Sequence, residues 1–324
     1  MEAVIEKLLK SDELSIRFKV FTNVLGKNPD SGEMRKLRGE IKSSFRVKQL
    51  LSEQREDGTI SFHPYAKWYG AHWVLATLAD IGYPPGDESL IPLKDQVYGW
   101  LFSNHHQNSI KTIEGKVRRC ASQEGNALYS TLALGIADQF ADELADRLVK
   151  WQWEDGGWNC DKNPDAQNSS FMESLIPLRA LALHAKVNNN EMSKMAVERA
   201  VDIFLKRKMY KRQRDGSIIK DDFVCLHYPC YWHYDILFGL KIMVETGFIK
   251  DERCKDALDL LELKRLDDGG FPAEKRYYKV IDKINTSRRK SGSSLVDWGV
   301  VSTKKSNEFV TADALYVLRS AGRI

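Results

Sequence analysis

The chain has 324 residues, 43% hydrophobic and 29% charged, a balance typical of a globular protein with a substantial core. Its 49 Lys and Arg against 45 Asp and Glu leave a net charge of only +4, too small to indicate nucleic-acid binding. The longest apolar run, 74–79, is far too short to span a membrane, and residues 1–15 carry charges where a signal peptide is apolar. Because five cysteines without regular spacing favour a reducing compartment, we expect a soluble, cytoplasmic protein without a nucleic-acid partner.

Two kinds of helical segment alternate along the chain after a short N-terminal helical pair in residues 1–28. The first kind is charged and amphipathic, and is predicted at 33–54, 93–105, 139–152, 190–208 and 251–266. The second kind is apolar on nearly all faces, and follows at 65–81, 121–137, 170–185, 230–246 and 307–321. A helix that is apolar all round must be buried all round.

This alternation predicts an all-α fold, an α/α toroid, because fully apolar helices need an outer layer of amphipathic ones. We expect about five hairpins in a double ring, with apolar helices inside and charged helices outside. Residues 1–324 form a single domain in this interpretation, in which 33–324 supply the hairpins. No segment predicts a substantial sheet.

A short motif, Asp-Gly-any-large apolar, recurs between the two kinds of helix. It is found at 57–60, 155–158, 215–218 and 268–271, with a degenerate copy at 114–117. A glutamine precedes three of the copies: Gln54, Gln152 and Gln213. Asp-Gly favours a tight turn, and the apolar residue fills the gap between hairpins. We therefore interpret "WQWEDGGWNCD" (151–161) as a structural clasp more than an active-site loop.

The order of outer helix, Gln, Asp-Gly-Gly-Trp and inner helix resembles the repeat of squalene-type triterpene cyclases and protein prenyltransferase β subunits. The copy "RLVKWQWEDGGW" (147–158) carries this resemblance best. The stretches 8–26, 151–161, 169–181 and 227–240 look more closely like a group of uncharacterised prokaryotic proteins with the same repeat. The resemblance implies the toroid fold over nearly the whole chain, but it supplies no reaction.

The signatures that carry the reactions of the two better-known families are missing from this sequence. Squalene-type cyclases protonate their substrate with an Asp-any-Asp-Asp motif, which the chain does not contain. Protein prenyltransferases hold zinc with an Asp-any-Cys pair and a later His, whereas "NCD" (159–161) reverses that order. Both familiar activities are therefore in doubt.

The richest cluster of polar residues begins the fourth apolar segment, "CLHYPCYWHYDILFGL" (225–240). Tyr231 and Asp235 are four residues apart, so in a helix they share a face, and with His233 they are candidate catalytic groups. His227, Cys230 and His233 are zinc-ligand types, although a spacing of three and three is a weak signal. The alternative is ordinary packing, with the polar groups bonded to buried backbone.

Two glutamates begin other apolar segments and are further candidate catalytic groups. Glu173 lies in "SSFMESL", where burial would raise its pKa and suit it to act as a general acid. Arg179 or His233 is an alternative structural partner for it. Glu124 lies in "RRCASQEGNALYS", where a capping carboxylate is the competing interpretation.

Aromatic and polar residues on the predicted inner helices are candidates for contact with a substrate. Aromatic faces suit branched hydrocarbons and sugar rings, although each residue alone is equally explained by core packing. The substrate-binding candidates are Trp68, Tyr69, His72, Trp73, Phe171, Trp232 and Asp313.

Two stretches are rich in basic residues: 206–214 and the insertion 274–294, which contains "SRRK" at 287–290. Their side chains could bind phosphate groups or lie exposed in solvent.

For the whole chain three interpretations stay open. The first is an enzyme or binder for an isoprenoid or another apolar small molecule in the central cavity. The second is a carbohydrate-active enzyme using Tyr231, His233 and Asp235. The third is a noncatalytic scaffold. The sequence assigns no cofactor and no protein partner.

Overall fold

The computed structural model describes residues 2–282 and 291–324, and the regular secondary structure within them is nearly all helix. In chain order the α-helices are α1 Glu2–Leu9, α2 Leu14–Lys19, α3 Gly32–Lys42, α4 Phe45–Leu50, α5 Ala71–Asp80, α6 Ile91–Leu101, α7 Asn104–Asn108, α8 Ser122–Ala133, α9 Phe140–Trp151, α10 Phe171–Asn188, α11 Glu191–Lys206, α12 Ile236–Glu245, α13 Lys255–Leu263 and α14 Glu308–Ser320. A π-helical turn, Val20–Val24, continues α2. None of these helices is long and apolar enough to cross a membrane.

The two sheets among the described residues are minimal. Strands β1 (Lys111–Ile113) and β2 (Lys116–Arg118) form an antiparallel hairpin around the degenerate motif copy. Strands β3 (Lys279–Val280) and β4 (Ser293–Ser294) form a parallel pair of two residues each.

Six helices form an inner ring, and the chain is an all-α toroid as predicted. Helix α5 packs on α8, α8 on α10, α10 on α12, α12 on α14, and α14 on α2 and its π-turn. The ring closes between α2 and α5, where Lys19 Nζ lies 3.1 Å from Asp80 Oδ2. The N-terminal pair therefore contributes a sixth inner position, in addition to the five expected hairpins.

The outer layer consists of the amphipathic helices, each packed on the inner helix that precedes it. Helix α3 covers α2, α6 covers α5, α9 covers α8, α11 covers α10 and α13 covers α12. Helix α1 packs on α2 and its π-turn, and Ser11, two residues beyond its end, donates a hydrogen bond of 2.8 Å to Glu308 at the start of α14. The predicted segments match these helices with their ends moved by a few residues, except that 33–54 is split into α3 and α4.

The recurring motif has the geometry of a clasp between neighbouring hairpins. Gln152 Nε2 donates to the carbonyl oxygens of Gly156 and Ala196, both at 2.8 Å, and so joins the turn to α11. Gln54 makes the equivalent bonds to Gly58 and Ser89. Gly156 has φ +102°, and a Cβ there would lie 2.3 Å from the Arg199 carbonyl oxygen, so only glycine fits.

Candidate functional site

Charged side chains meet at the centre of the ring, where apolar residues would be expected. Asp80, the last residue of α5, accepts from Lys241 (2.9 Å) and Lys19 (3.1 Å), and the Tyr228 hydroxyl donates to it at 2.9 Å. The same two lysines also bind Asp313, at 2.9 and 3.2 Å. Four inner-ring elements are thus joined through two carboxylates and two ammonium groups.

A third cation, Arg179 of α10, extends this network. Its guanidinium binds Glu245, the last residue of α12, through two parallel bonds of 2.7 and 2.8 Å. It also lies 3.9 Å from the centre of the Tyr129 ring and 3.7 Å from Asp80. We call these six residues the central cluster: Lys19, Asp80, Arg179, Lys241, Glu245 and Asp313.

The central cluster holds Asp80 and Lys241 in their charged forms. Burial alone would raise the pKa of Asp80, but the charges of Lys19, Lys241 and Arg179 together hold it well below its usual range. Burial alone would lower the pKa of Lys241, but Asp313 and Asp80 raise it well above its usual range. Asp80 is therefore a carboxylate that accepts hydrogen bonds, which is the wrong protonation state for a general acid.

A small cavity of about 40 Å³ lies against the central cluster. It is lined by Ala76, Thr77, Asp80, Asn126, Tyr129, Arg179, Tyr228, Pro229, Cys230, Tyr231, Phe238, Lys241 and Asp313. Asn126 stands out in this lining, because its buried Nδ2 has no hydrogen-bond partner within the described part of the chain. An amide in that position is a free donor facing the cavity.

The three catalytic candidates near α12 do not share a helix face, which corrects the sequence-based prediction. Helix α12 begins at Ile236, and Tyr231 lies before it with φ +48°. Tyr231 lines the cavity, whereas Asp235 is the N-cap, accepting from the Phe238 N–H (2.8 Å) and the His227 N–H (2.9 Å). A capping residue has extended backbone, so the helix cannot start earlier.

His233 and His227 meet edge-on, with ring centroids 6.0 Å apart, but their other partners differ. His233 is stacked between Trp232 and Tyr277, with ring centroids 4.1 and 3.7 Å away, and burial lowers its pKa to about 3. His227 Nδ1 lies 2.8 Å from Asp235. The metal-type group at this place is therefore His227, Cys230 and Asp235, and not the expected set with His233.

The aromatic candidates around the start of α5 form a packed cluster beside the cavity. Trp68 is stacked on Tyr231 at 3.9 Å and meets Trp73 edge-on at 4.6 Å. Tyr69 packs edge-on against Phe62. His72 is fully buried with both ring nitrogens unpaired among the described residues, and burial lowers its pKa to about 3. Of this cluster only Tyr231 lines the cavity.

The remaining substrate-binding candidates lie in different places. Phe171 packs in the core against Phe204 and Phe223, away from the cavity lining. Trp232 lies beneath the Lys67 ammonium, 4.8 Å from its ring centre. Asp313 lines the cavity as a member of the central cluster.

Glu173 lies in the first turn of α10, where it meets two cysteines that the sequence analysis did not single out. Its Oε2 accepts from the Ser122 N–H at 3.1 Å, and its Oε1 lies 3.6 Å from the Cys160 sulfur. Burial raises its pKa. Arg179 and His233, the expected alternative partners, are engaged elsewhere. We call Cys120, Cys160 and Glu173 the thiol cluster.

The pKa values of the two thiols of this cluster are shifted in opposite directions. The hydrogen bond between them, together with burial, raises the pKa of Cys120, and the same bond lowers the pKa of Cys160. Burial also lowers the pKa of Lys67, whose charge acts on Cys120 and Glu173. Perturbed groups gathered in this way are a common mark of functional sites.

Glu124 is fully buried in the first turn of α8, and its partners belong to α7 and to the loop that precedes α8. Its Oε1 contacts His106 Nε2 at 3.1 Å and Arg119 Nε at 3.2 Å. It is thus a carboxylate paired with side chains near a helix start, and not the cap weighed for it, since α8 has no side-chain cap.

The basic stretch 206–214 is engaged with its own chain. Its cations bind carboxylates or backbone carbonyls within 3.3 Å, through Lys206–Asp202, Arg207–Ile203, Lys208–Asp256, Lys211–Asp256, Arg212–Ile218 and Arg214–Asp215. Residues 287–290 of the second stretch lie outside the described residues.

The sequence contains signals for the central cluster, but they are single charges within apolar runs and form no motif. Lys241 is the single charge in the run 236–244, and Asp80 ends the apolar run that precedes it. Lys19 similarly interrupts an apolar stretch. A lone charge in a helix that must be buried all round requires a partner, but the partners of these three come from other helices.

Comparison with known proteins yields only distant similarity. No protein-family model matches the sequence, and no curated protein matches it either. Among solved structures, a variant of the type II terpene cyclase MstE from Scytonema, in complex with geranylgeranyl dihydroxybenzoate, is 13% identical with a TM-score of 0.44. That alignment covers 96% of this chain and 88% of the cyclase. An apo variant of the same cyclase gives 14% identity, a TM-score of 0.44, and coverage of 96% and 87%.

Proposed function

We propose that the chain binds a compact, largely apolar molecule with one neutral polar group, such as an isoprenoid alcohol, in the central cavity. The observation that carries this proposal is the unpaired amide of Asn126 in the cavity lining. A buried donor without a partner costs about 1–3 kcal/mol. An acceptor oxygen of a bound molecule removes that cost.

The walls of the cavity suit the apolar part of such a molecule. Tyr231, Phe238 and Tyr129 present aromatic rings, and Ala76 and Pro229 add aliphatic surface. Aromatic faces pack well on branched hydrocarbon. The cavity volume of about 40 Å³ is far below the roughly 300–1,000 Å³ usual for ligand sites, so we propose only a short chain, and lining side chains have to move to admit it.

The charge balance of the central cluster favours a neutral polar group over an anionic one. Its three cations, Lys19, Arg179 and Lys241, face three carboxylates and are bound to them. A diphosphate would have to displace a carboxylate already bonded in a buried site, which costs several kcal/mol. A hydroxyl that accepts from Asn126 leaves the network intact.

Two catalytic alternatives find less support than binding. Protonation of an alkene needs a protonated acid in the cavity. The pKa of Asp80 is held well below its usual range, and Glu173, whose pKa is raised, is not among the lining residues. Carbohydrate chemistry by Tyr231, His233 and Asp235 needs the three to converge, but Asp235 caps α12 and His233 is stacked between rings. A scaffold without a ligand remains the competing outcome.

The test is thermal melting of the purified chain with geraniol, farnesol and geranylgeraniol, their diphosphates, and neutral oligosaccharides. Asn126→Leu is the key variant, because leucine has a similar volume and removes the unpaired donor. Asn108→Ala is the matched control, since Asn108 is exposed at the end of α7.

We expect an alcohol to raise the melting temperature of the wild type and of Asn108→Ala, with geraniol or farnesol ahead of geranylgeraniol. Asn126→Leu should melt higher than the wild type without ligand and respond less to the alcohols. A larger shift with diphosphates or oligosaccharides would overturn the proposed ligand class. If no compound shifts the wild type, the scaffold interpretation replaces the proposal.

A further inference from the structure

The thiol cluster gathers three metal-ligand groups from two neighbouring inner hairpins. Cys120 precedes α8, Cys160 follows the Asp-Gly-Gly-Trp clasp, and Glu173 lies in the first turn of α10. One ligand atom from each lies within 4.8 Å of the other two. Because the three come from separate loops and a helix, no sequence motif connects them.

We propose that Cys120, Cys160 and Glu173 bind one zinc ion, with its fourth coordination position open. Two sulfurs and a carboxylate oxygen are a ligand set that zinc accepts, and three protein ligands with an open position are typical of reactive zinc sites. This site is separate from the central cavity and does not depend on the ligand proposed there.

The distance between the Cys160 sulfur and the Glu173 carboxylate matches tetrahedral coordination. Zinc–sulfur and zinc–oxygen bonds of about 2.3 and 2.0–2.2 Å at the tetrahedral angle place the two ligand atoms about 3.6 Å apart. The Cys160 sulfur and Glu173 Oε1 are 3.6 Å apart. Little movement of this pair is needed to admit the ion.

The surroundings orient the carboxylate and leave a route for the ion. The Ser122 N–H holds Glu173 Oε2 at 3.1 Å, so the other carboxylate oxygen is directed to the thiols, as an outer-shell hydrogen bond does in zinc sites. Cys120 and Cys160 are both partly exposed, whereas Glu173 is buried. Zinc can therefore enter from the thiol side.

The charges balance once zinc is bound. Two thiolates and one carboxylate carry three negative charges, of which zinc neutralises two. Lys67 supplies the third positive charge, since its ammonium interacts electrostatically with both Cys120 and Glu173. Tyr65 interacts electrostatically with the same two groups.

The other metal-type group, His227, Cys230 and Asp235, is a poorer candidate because its carboxylate is already used. Asp235 Oδ1 caps α12, and Oδ2 accepts from both the backbone and the ring of His227. A metal there would have to break the cap. The group His227, Cys230 and Asp235 is therefore the alternative site against which the test compares the thiol cluster.

The test is stoichiometric zinc binding to the purified full chain, stripped with a chelator under reducing conditions. Elemental analysis after addition of ZnCl₂ gives the stoichiometry, and competition with a chromophoric chelator gives the affinity. Cobalt(II) replaces zinc for spectroscopy, because thiolate ligation adds a near-ultraviolet charge-transfer band and tetrahedral geometry gives intense visible bands. The variants are Cys120→Ser, Cys160→Ser and Glu173→Gln, with Cys225→Ser as the matched control outside the cluster.

We expect one zinc per chain, a tetrahedral thiolate spectrum with cobalt, and retention of both in Cys225→Ser. Either cysteine variant should lose the charge-transfer intensity of one thiolate, and Glu173→Gln should weaken binding by at least ~10-fold. A wild type that binds well below one equivalent overturns the proposal without any variant. Full binding in the Cys120→Ser/Cys160→Ser double variant overturns it too, and loss in Cys230→Ser would move the site to His227, Cys230 and Asp235.

Discussion

Lys19 and Asp313 are paired at 3.2 Å in the centre of the ring, although they lie near opposite ends of the chain. Lys19 is the last residue of α2, and Asp313 lies in the middle of α14. Their side chains are 5% and 8% exposed, so water screens the pair little. The first and last inner helices are thus joined by the same charges that border the cavity.

Removing one charge from this pair should destabilise the chain strongly. In Asp313→Asn, Lys19 and Lys241 keep only Asp80 as a carboxylate partner. Breaking a buried pair costs about 3–5 kcal/mol, because an uncompensated charge stays buried. We expect the free energy of unfolding, measured in urea, to fall by about 3 kcal/mol.

The matched control for Asp313→Asn is Glu33→Gln, which breaks the surface pair of Lys27 and Glu33. Exposed pairs contribute about 0.2–1 kcal/mol, so this variant should unfold almost as the wild type does. In the double variant Lys19→Met/Asp313→Leu, part of the loss should be recovered. Strictly additive effects of the two single changes would contradict a buried, coupled pair.

The same cluster should make the chain sensitive to acid. The pKa of Asp80 is held below its usual range in the folded chain, so the unfolded chain takes up the proton first as pH falls. The stabilisation by Asp80 is complete above the unfolded value of about 3.9 and is lost as pH falls below it. Urea unfolding between about pH 5 and pH 2 should show a shallower pH slope in Asp80→Asn than in the wild type. Asp12→Asn, at an exposed position, is the control; an equal slope in all three would contradict this role.

Much of the fold was predictable because its signals are local. The alternation of amphipathic and apolar segments and the recurring Asp-Gly turns each lie within a few residues, and they predicted the ring. Helix ends were less predictable where a side chain decides them. Asp235 caps α12, so the helix begins six residues later than the apolar pattern indicated.

The candidate site was less predictable because its contacts are long-range. Tyr231 and Asp313 were singled out from the sequence and line the cavity. Asp80 and Lys241 were not, because a lone charge in a buried helix does not identify its partner, and these two lie within 2.9 Å only once the ring has formed. The thiol cluster was missed for the same reason, since Cys120 and Cys160 lie in different hairpins.

The three glutamines of the recurring motif allow a further test, because their positions in the repeat are similar but their hydrogen bonds and exposure differ. Gln54, Gln152 and Gln213 occupy similar places in the repeat, yet Gln152 is half-buried with two bonds of 2.8 Å while Gln213 is exposed. Two hydrogen bonds contribute about 1–3 kcal/mol together. Gln152→Ala should lower the free energy of unfolding by that amount, and Gln213→Ala should change it by less than about 0.5 kcal/mol. Equal losses would mean that the repeat position, and not the observed bonds, decides stability.

His72 is expected to destabilise the folded chain, and increasingly so as pH falls. Burial lowers its pKa to about 3, against about 6.5 when unfolded, so below that value the unfolded chain binds a proton that the folded chain does not. This difference removes about 2 kcal/mol of stability between pH 7 and pH 5.

His72→Leu should be at least as stable as the wild type at pH 7, because two unpaired ring nitrogens are gone. It should also lose about 2 kcal/mol less than the wild type on going to pH 5, by urea unfolding at both values. His105→Gln, at an exposed position, should follow the wild type; a His72→Leu curve parallel to the wild type would show that His72 titrates normally.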